Sequence, residues 1–550
     1  MAGKWLKLFS DAKRSKADFL IDGEEYYESV IHAIETATAQ NHYIYILGWM
    51  LDIDFQLVKY NKDATLFNLL SKAASRGVEI RILIWDNVLP DSAKPNADAI
   101  ERLNKLQNSK VFIDEHTFFP EKSKQVIKEI GPYVVKLINK IGDMLGGLKP
   151  DAQLELMRFE KDNTSLSLLL YRLLFYINRQ TSGAHHEKVV IVKGKDGLIA
   201  FCGGMDFNKN RVISEVNKKE YRFPKLHDTA CRLQGPAAHQ VLQRFKRRWS
   251  YHPLAKAITL SGQNEAEPKE EAEPSMYAKV VGTYNSPDGG EKDRSLKKAY
   301  FDIIDNAKTY IYIEDQYLVN VDVARAINKK LKDEGFRKVI FAIQDSIETA
   351  DIFIPNRKRG EFIEAVRDGL TESQKKKVLL TLIDKKRWEK EHYHPAMHAK
   401  TLIVDDEIAI IGSGNVNQRS FTCDSETSVI VFNDTAKVEE NFARGFRMQT
   451  WLHFMRMPIQ PHIVKTWFEF PYLLDEYPDQ DFSNLVKYTR DSQEDMDVRL
   501  AEYIHNCSFL PDVVHYLSGQ DVPLTPASLS DAGIKNTFDR IWELVDPNGG

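Results

Sequence analysis

A pattern that occurs twice in the chain is the feature that most constrains its fold. In each copy a histidine and a lysine are separated by one residue. The second copy begins at His398 and Lys400 and continues with Asp405, Gly412, Ser413 and Asn415. Such a set of fixed positions would arise by chance with odds on the order of one in a hundred thousand, so the pattern is a strong signal.

The residues around the second copy predict a β-hairpin. Residues 401–404 are apolar strand core, residues 405–407 form a polar turn, and residues 408–411 return as the paired strand. Side chains two apart on a strand point the same way, so His398 and Lys400 can reach one phosphate. Ser413 and Asn415 then follow the return strand, beside the start of the first. An imidazole, an ammonium, a hydroxyl and an amide together suit a phosphodiester.

The first copy contains His186, Lys188, Gly203 and Asp206, with one departure from the second. The acid expected near residue 193 is replaced by a lysine, whereas Asp196 lies as far before Gly203 as Asp405 lies before Gly412. A turn lengthened by three residues at 193–195 explains this, because hairpin loops tolerate insertion. The alternatives are a degenerate first copy and, for each histidine alone, an ordinary packed side chain.

The segments before each copy also repeat. Helical spacing over residues 27–34 leads into a strand-like run at 43–46, and the same order recurs at 300–307 and 310–313. Further strands are predicted at 78–85 and 110–113, with counterparts at 338–343 and 377–383. Helices alternating with β-branched strands predict an α/β fold: two similar α/β-layered halves, 20–258 and 277–455, packed as a pseudo-twofold pair.

Three further segments complete the predicted organisation. Residues 118–181 carry apolar side chains at helical spacing, which predicts a helical insert that packs on the sheet or touches lipid. Residues 261–274 lack large apolar side chains, which predicts a flexible acidic linker over residues 259–276. Residues 456–550 predict a helical C-terminal appendage.

Composition and charge exclude several classes of protein. The formal net charge of -4 gives no long-range attraction to nucleic acid, although a local basic patch would still allow it. The four cysteines are scattered, which argues against a zinc site or disulfide framework. No Sec-type signal is apparent, and the most apolar stretch, residues 166–177, is shorter than the roughly 20 residues of a membrane span. We expect a cytoplasmic or peripheral membrane protein, with signal-less secretion as an effector left open, and no metal or cofactor.

The paired patterns resemble those of the phospholipase D superfamily, over roughly residues 20–455. Three shorter stretches add to the resemblance: residues 313–317, 424–426 and 226–228. They favour a phospholipase D proper over a more distant nuclease.

The resemblance implies a covalent phosphohistidine mechanism without a metal. His186 would be the nucleophile and His398 the general acid, with Lys188, Lys400, Ser413 and Asn415 offsetting charge on the phosphate oxygens. It further suggests Glu426 as the carboxylate that orients one imidazole and Asp228 or Asp206 as the other; the alternative for these acids is a structural role. Asp196 and Asp405, at the hairpin turns, are expected to be structural.

The function that we expect is hydrolysis of a glycerophospholipid, phosphatidylcholine or phosphatidylethanolamine, to phosphatidate and a free head group. Transfer to another alcohol is chemically open. The expected partner is a phospholipid membrane surface, with no nucleic acid, and a monomer would hold both half-sites. The alternatives are a phosphodiesterase acting on nucleic acid, a phosphatidyl-transferring enzyme such as cardiolipin synthase, and a lipid-binding module without activity.

Overall fold

The computed structural model describes most of the two predicted halves. The described residues are 2–86, 90–114, 183–211, 225–270, 276–343, 353–383, 395–433, 441–455 and 485–487. The predicted helical insert at 118–181 lies outside them, as does the predicted appendage apart from 485–487. Among the described residues, no helix combines the length and apolar character needed to cross a bilayer.

Strands and helices alternate along both halves. The strands are β1 (Lys13–Arg14), β2 (Lys16–Ile21), β3 (Tyr43–Gly48), β4 (Glu79–Trp85), β5 (Ser109–Asp114), β6 (Val189–Gly194), β7 (Gly197–Gly203), β8 (Lys225–His227), β9 (Thr229–Gln234), β10 (Met276–Asn285), β11 (Lys292–Asp293), β12 (Tyr310–Asp315), β13 (Lys338–Ile343), β14 (Val378–Ile383), β15 (Pro395–Met397), β16 (Thr401–Val404), β17 (Ile408–Gly412), β18 (Glu426–Asn433) and β19 (Leu485–Lys487). The α-helices are α1 (Ala2–Leu8), α2 (Asp22–Glu35), α3 (Leu66–Ser75), α4 (Pro90–Leu103), α5 (Pro236–Tyr251), α6 (Ser295–Asp305), α7 (Val321–Leu331), α8 (Phe353–Arg367), α9 (Glu372–Lys375), α10 (Gln418–Thr422) and α11 (Phe442–Met455).

The two halves share one sheet topology. The first sheet has seven strands in the order β2-β9-β7-β6-β3-β4-β5. The second sheet contains the order β10-β18-β17-β16-β12-β13-β14, which matches the first strand for strand, with β1 added at one edge and β19 at the other. In each half the last three strands of this order are parallel and the others pair antiparallel. The predicted fold of two similar α/β halves is confirmed.

Alternation along the central strands explains how the halves pack. On β3, Tyr43 and Tyr45 belong to a core that also contains Tyr310 and Tyr312 of β12, together with apolar residues of α5 and α11. The intervening Ile44 faces the other way, toward α2 and α3. Because side chains alternate across a strand, each sheet buries one face under its own outer helices and the other face in a core shared by both halves.

The hairpins that carry the histidine–lysine patterns differ in length as predicted, although the extra residues lie elsewhere than expected. The pairing of β6 with β7 continues to Gly194 and Gly197, so the turn is only two residues long. The pairing of β16 with β17 ends at Val404 and Ile408, across a three-residue turn. The first copy therefore has longer strands rather than a longer turn.

The acids at the two turns also differ. Asp405 accepts hydrogen bonds from the backbone amides of Lys308, Thr309 and Tyr310 at 2.8, 2.7 and 3.0 Å, which ties its turn to the start of β12. Asp196 instead lines a surface cavity of about 330 Å³ between α2 and the sheet edge. Asp405 is thus structural, and the two acids are not equivalent.

The segments before and between the halves contact both of them. Trp5 of α1 lies in the core of the second half, and β1 pairs with β10, whereas β2 pairs with β9 of the first half. Within the predicted linker, the amide of Gly262 donates to the hydroxyl of Tyr45 at 3.0 Å, and Glu265 forms an ion pair with Lys193 at 2.6 Å. This part of the linker is therefore bound to the first half.

Candidate active site

The first histidine of the site is held by a carboxylate from the other half of the chain. His186 lies in the short segment that leads into β6. Its Nδ1 lies 3.0 Å from both oxygens of Glu426, the first residue of β18. Glu426 is fully buried, whereas the ring of His186 keeps a small exposed edge. Of the acids suggested from the sequence, Glu426 is therefore placed against an imidazole.

The second histidine is held in the reciprocal way. The Nδ1 of His398 lies 2.7 Å from Oδ2 of Asp228, which sits between β8 and β9 in the first half. The other oxygen of Asp228 accepts the backbone amide of Thr229 at 2.9 Å. Asp228, rather than Asp206, is the carboxylate placed against His398.

Backbone pairing between the halves brings each histidine to its carboxylate. The short strands β8 and β15 pair in parallel, with Met397 opposite His227, so that His398 and Asp228 follow at the same level. On the other side an isolated parallel bridge joins His185 to Ser425, directly before His186 and Glu426. Two short strand contacts therefore set both imidazole–carboxylate pairs.

The two lysines bind back to their own histidine segments. The Nζ of Lys188 donates to the carbonyl of His186 at 2.9 Å, and Lys400 donates in the same way to the carbonyl of His398. Lys188 also lies 3.4 Å from Oδ2 of Asp206. Burial lowers the pKa of Lys400 to about 8, against the opposing charges of nearby carboxylates. Both ammonium groups are therefore fixed beside the histidines.

The carboxylate beside each lysine comes from different positions in the two halves. Asp206 accepts the backbone amides of Trp49 and Met50, just after β3, at 3.0 and 3.1 Å. In the second half Asp315, at the end of β12, accepts the amides of Tyr317 and Leu318 at 2.7 Å. Asp206 thus stabilises the loop after β3 and neutralises Lys188, which explains why it is not paired with an imidazole.

Ser413 and Asn415 take unequal places in the site. The hydroxyl of Ser413 donates to Oε2 of Glu426 at 2.5 Å and is fully buried, so Ser413 supports the carboxylate rather than facing a phosphate. The side-chain oxygen of Asn415 is buried and, among the described residues, has no hydrogen-bond partner. Of the two, Asn415 keeps an acceptor without a partner, and only its side-chain Nδ2 could donate to a phosphate oxygen.

Charge and burial disfavour a proton on either imidazole. The pKa of His186 is well below its usual value because of burial and the charges of Lys188 and Lys400. The pKa of His398 is lowered by burial, by Lys400 and by Arg211. The lysines of both halves lower the proton affinity of each ring. The two histidines and the two lysines therefore share one electrostatic environment.

The two carboxylates differ in how strongly they hold a proton. Burial, followed by the charge of Asp424, raises the pKa of Glu426 to about 8. Burial also raises the pKa of Asp228, but Arg211 and Lys400 oppose it and the value is about 6. The two halves of the site are therefore geometrically similar and electrostatically unequal.

Sequence reasoning missed Arg211 and an aromatic pair. The Nε of Arg211 lies 3.3 Å from Oδ2 of Asp228. Trp49 packs edge-on against His186, with ring centroids 5.1 Å apart, and against Trp85 at 4.0 Å. Trp49 follows β3 and Trp85 ends β4, so both lie at the carboxyl ends of neighbouring parallel strands. That position was the available signal for the tryptophans.

A buried cation lies behind Asp228. His227 Nδ1 lies 2.8 Å from Oδ1 of Asp22, and its Nε2 lies 3.6 Å from Oε2 of Glu314 in the second half. Although burial opposes it, these two carboxylates raise the pKa of His227 to about 10. Asp22 also accepts the amide of Asp228 at 3.0 Å, so this cluster fixes the backbone of the carboxylate that holds His398.

A second buried cluster lies behind His186. The guanidinium of Arg248, on α5, donates to Glu187 at 2.8 Å and contacts Asp114 and Ser425. Glu187 in turn accepts the hydroxyl of Thr427 at 2.7 Å. The cluster joins the first half to β18 next to Glu426. Across the described ranges, His, Cys, Asp and Glu side chains form no group suited to a metal ion.

Comparison with protein families matches a different family model in each half. A model described as "Cardiolipin synthase, PLD-like domain" matches residues 300–447, and one described as "Phospholipase D" matches residues 35–130. Among curated proteins, phospholipase D alpha 1 of Brassica oleracea var. capitata is 23% identical over 563 residues, covering 78% of this chain and 64% of the relative. Phospholipase D A of Dictyostelium discoideum is 24% identical over 497 residues, covering 78% of this chain and 35% of the relative. The chain thus spans less than two thirds of the length of these relatives.

Solved structures that align with this chain include a synthase and a nuclease. The phosphatidylserine synthase of Haemophilus influenzae Rd KW20 aligns with a TM-score of 0.46 and 11% identity, covering 86% of this chain and 97% of that chain. Nuc from Salmonella typhimurium aligns with a TM-score of 0.24 and 18% identity, covering 39% of this chain and 98% of that chain.

Proposed function

Because this chain belongs to the phospholipase D superfamily, we propose that it is a phospholipase D, which hydrolyses glycerophospholipids to phosphatidate and a free head group. The observation that carries the proposal is the crossed pairing of His186 with Glu426 and of His398 with Asp228, beside two buried lysines. One site then has two imidazoles with fixed orientation and two cations for the phosphate oxygens.

The first step forms a covalent phosphohistidine. In its ionised form each carboxylate only accepts hydrogen bonds, so Nδ1 of each ring carries the hydrogen and Nε2 is the reactive nitrogen. The Nε2 lone pair of His186 attacks phosphorus, and the bond from phosphorus to the head-group oxygen breaks. His398 gives its Nε2 proton to that oxygen, and the head group leaves as a neutral alcohol.

The second step restores the enzyme. Water attacks the phosphorus of the phosphohistidine while His398, now neutral, takes a proton from it. The bond between phosphorus and Nε2 of His186 breaks, and phosphatidate leaves. An added alcohol in place of water would give a phosphatidyl alcohol by the same route.

Bound substrate supplies the charge that the mechanism needs. In the free site Lys400, Arg211 and Lys188 lower the pKa of His398. A phosphodiester anion beside these cations offsets part of their charge, which raises the proton affinity of His398 as the complex forms. The lysines, with the side-chain Nδ2 of Asn415 as a donor, meanwhile stabilise charge on the non-bridging oxygens in the transition state.

The substrate is presented at a phospholipid membrane surface, which makes this a peripheral enzyme. Both imidazole–carboxylate pairs lie within one chain, so a monomer suffices. The cations of the protein serve in place of a metal ion at the phosphate, and activity is accordingly expected to survive a chelator.

The test uses the full chain with vesicles of phosphatidylcholine or phosphatidylethanolamine, in the presence of EDTA. The expected result is release of head group and phosphatidate, and formation of phosphatidylethanol when ethanol is added. His186→Asn and His398→Asn should each remove the activity. Parallel incubation with plasmid and single-stranded DNA tests the alternative: cutting of DNA without lipid turnover would overturn the proposal in favour of a nuclease.

A further inference from the structure

Arg211 and Ser420 occupy equivalent positions in the two halves. Arg211 follows Gly203 by eight residues, and Ser420 follows Gly412 by eight residues. The backbones between agree as well: the carbonyl of Phe207 accepts the amide of Asp52 at 2.8 Å, and the carbonyl of Val416 accepts the amide of Val319 at 2.9 Å. The same place in the fold therefore carries a guanidinium in one half and a hydroxyl in the other.

The guanidinium contacts both members of one imidazole–carboxylate pair. Arg211 is 6% exposed, and its Nε lies 3.3 Å from Oδ2 of Asp228. Its Nη2 lies 3.3 Å from Nδ1 and 3.5 Å from Nε2 of His398. Because Nδ1 of His398 already donates to Asp228, Arg211 cannot donate to that nitrogen. On the ring, Arg211 can donate only to Nε2, at 3.5 Å, and it also places its positive charge beside the imidazole.

The hydroxyl contacts only the carboxylate of the other pair. Ser420 Oγ donates to Oε1 of Glu426 at 2.7 Å, and Ser413 donates to Oε2. Within the described part of the chain, no lysine or arginine forms an ion pair with Glu426, whose basic neighbour is the imidazole of His186. Two neutral donors thus hold Glu426 where a cation holds Asp228.

We propose that Arg211 is a positioning residue that makes the two imidazole–carboxylate pairs chemically unequal, by keeping Asp228 ionised and against His398 while Ser420 offers Glu426 only a hydroxyl. The catalytic consequence rests on the proposed phospholipase function. Arg211 lowers the proton affinity of its pair in two ways, since it stabilises the carboxylate anion and opposes a positive charge on the ring.

The other charges around the pairs do not remove this difference. Asp228 faces Lys400 and His227 as well as Arg211, and His398 faces Lys400, Lys188 and His186. Glu426 faces Asp424, which raises its proton affinity, and Lys188, which lowers it. The lysines act on both pairs, whereas Arg211 acts on the pair of His398, and no arginine among the described residues forms an ion pair with Glu426 in the same way.

The direct test measures the titration of each histidine without substrate. The full chain is labelled with ¹³C at the Cε1 of histidine, and the two signals are assigned with His186→Asn and His398→Asn. In Arg211→Gln the midpoint of His398 should rise by about one pH unit, whereas that of His186 should move much less. An unchanged His398 midpoint in folded Arg211→Gln overturns the proposal.

Two further variants serve as controls for this test. Arg211→Lys keeps the charge, so its His398 midpoint should stay near that of the wild type; a shift as large as a full unit would overturn the proposal even if Arg211→Gln fails to fold. Ser420→Ala is the matched variant in the other half, and it should move the His186 signal rather than that of His398. Movement of His398 alone in Ser420→Ala would count against the assignment.

The dependence of turnover on pH then separates this inference from the proposed function. With His398 as general acid, Arg211→Gln should move the alkaline limb of kcat upward. If the acidic limb moves instead, Arg211 is supported and the proposed roles of His186 and His398 are reversed. A uniform loss of kcat with both histidine midpoints unmoved would make Arg211 merely structural. A wild type inactive on phospholipid leaves the histidine titrations valid.

Discussion

The imidazole of His398 lies 2.7 Å from the carboxylate of Asp228, a residue 170 positions earlier in the other half of the molecule. The reciprocal contact joins His186 to Glu426, 240 positions apart. Since each half supplies a histidine and receives a carboxylate, neither half alone contains an oriented imidazole. This crossing explains why both copies of the pattern are needed for one site.

Replacement of either histidine should abolish useful turnover. In the proposed mechanism His186→Asn removes the nucleophile and His398→Asn removes the acid, so each should lower kcat by about 10²- to 10⁴-fold. The measurement is release of head group from phosphatidylcholine vesicles. His32→Asn, at an exposed position on α2, is the matched control and should keep wild-type activity. A His398→Asn protein with normal kcat would contradict the mechanism.

A single methyl group at Gly204 should disturb the pair of His398. A Cβ at this position would lie 2.0 Å from Oδ1 of Asp228, so the carboxylate must move. Displacing Asp228 from the ring should lower kcat by about 10- to 100-fold, because such misplacements are costly at a reacting centre. Gly335→Ala is the control, since a Cβ there meets nothing within 4 Å. Equal kcat values for the two glycine variants would argue against a role for Asp228.

The two lysines should contribute mainly to the transition state. Lys188→Met and Lys400→Met each remove a buried cation from the phosphate site, and each should lower kcat by roughly 10²- to 10³-fold. Lys110→Met, at an exposed position on β5, should have no such effect. Initial rates over a range of lipid concentrations separate kcat from KM. A change confined to KM would mean that the lysines only bind substrate.

His227 should make stability depend on pH. Its folded-state pKa of about 10 lies above the ordinary value of 6.5, so the folded chain holds a proton that the unfolded chain releases in this range. The stabilisation is complete below about pH 6.5 and is lost as the pH rises through about 10. Denaturant unfolding at pH 6 and at pH 9.5 measures this loss.

His227→Gln should remove that dependence and lower stability at pH 6. It leaves Asp22 and Glu314 buried without their cation, which typically costs about 3–5 kcal/mol. Comparison with the wild type cancels the titration of other groups. The same fall in unfolding free energy from pH 6 to pH 9.5 in both proteins would show that His227 is not charged in the folded state.

The fold and the four central residues were predictable from the sequence because both depend on local pattern. The alternation of apolar residues gave the strands, and the one-residue spacing of His398 and Lys400 places both at the start of a hairpin. The structure shows that the predicted lengthening of the first turn is wrong. It puts the extra length into β6 and β7, since nothing in the sequence decides between a longer strand and a longer turn.

The partners of these residues were harder to predict because they depend on pairing between distant segments. Sequence reasoning left Asp206 and Asp228 as alternatives, and only the bridge between β8 and β15 selects Asp228. Arg211 was missed because no motif marks it. Arg211 and Ser420 lie equally far along the chain from Gly203 and Gly412, which was the available signal. Using it required an alignment of the two halves that continues past Asn415.

Because of the crossed contacts, a change in one repeat affects the histidine of the other. A substitution that turns Asp228 in the first repeat takes effect at His398 in the second, and one that moves Glu426 takes effect at His186. After a duplication, two copies that each supply the carboxylate for the other's histidine can diverge in their loops. Neither copy can be lost or adapted to a new reaction without a change in the other. Engineering of specificity should therefore treat the pair as the unit of change, even where only one repeat touches the new substrate.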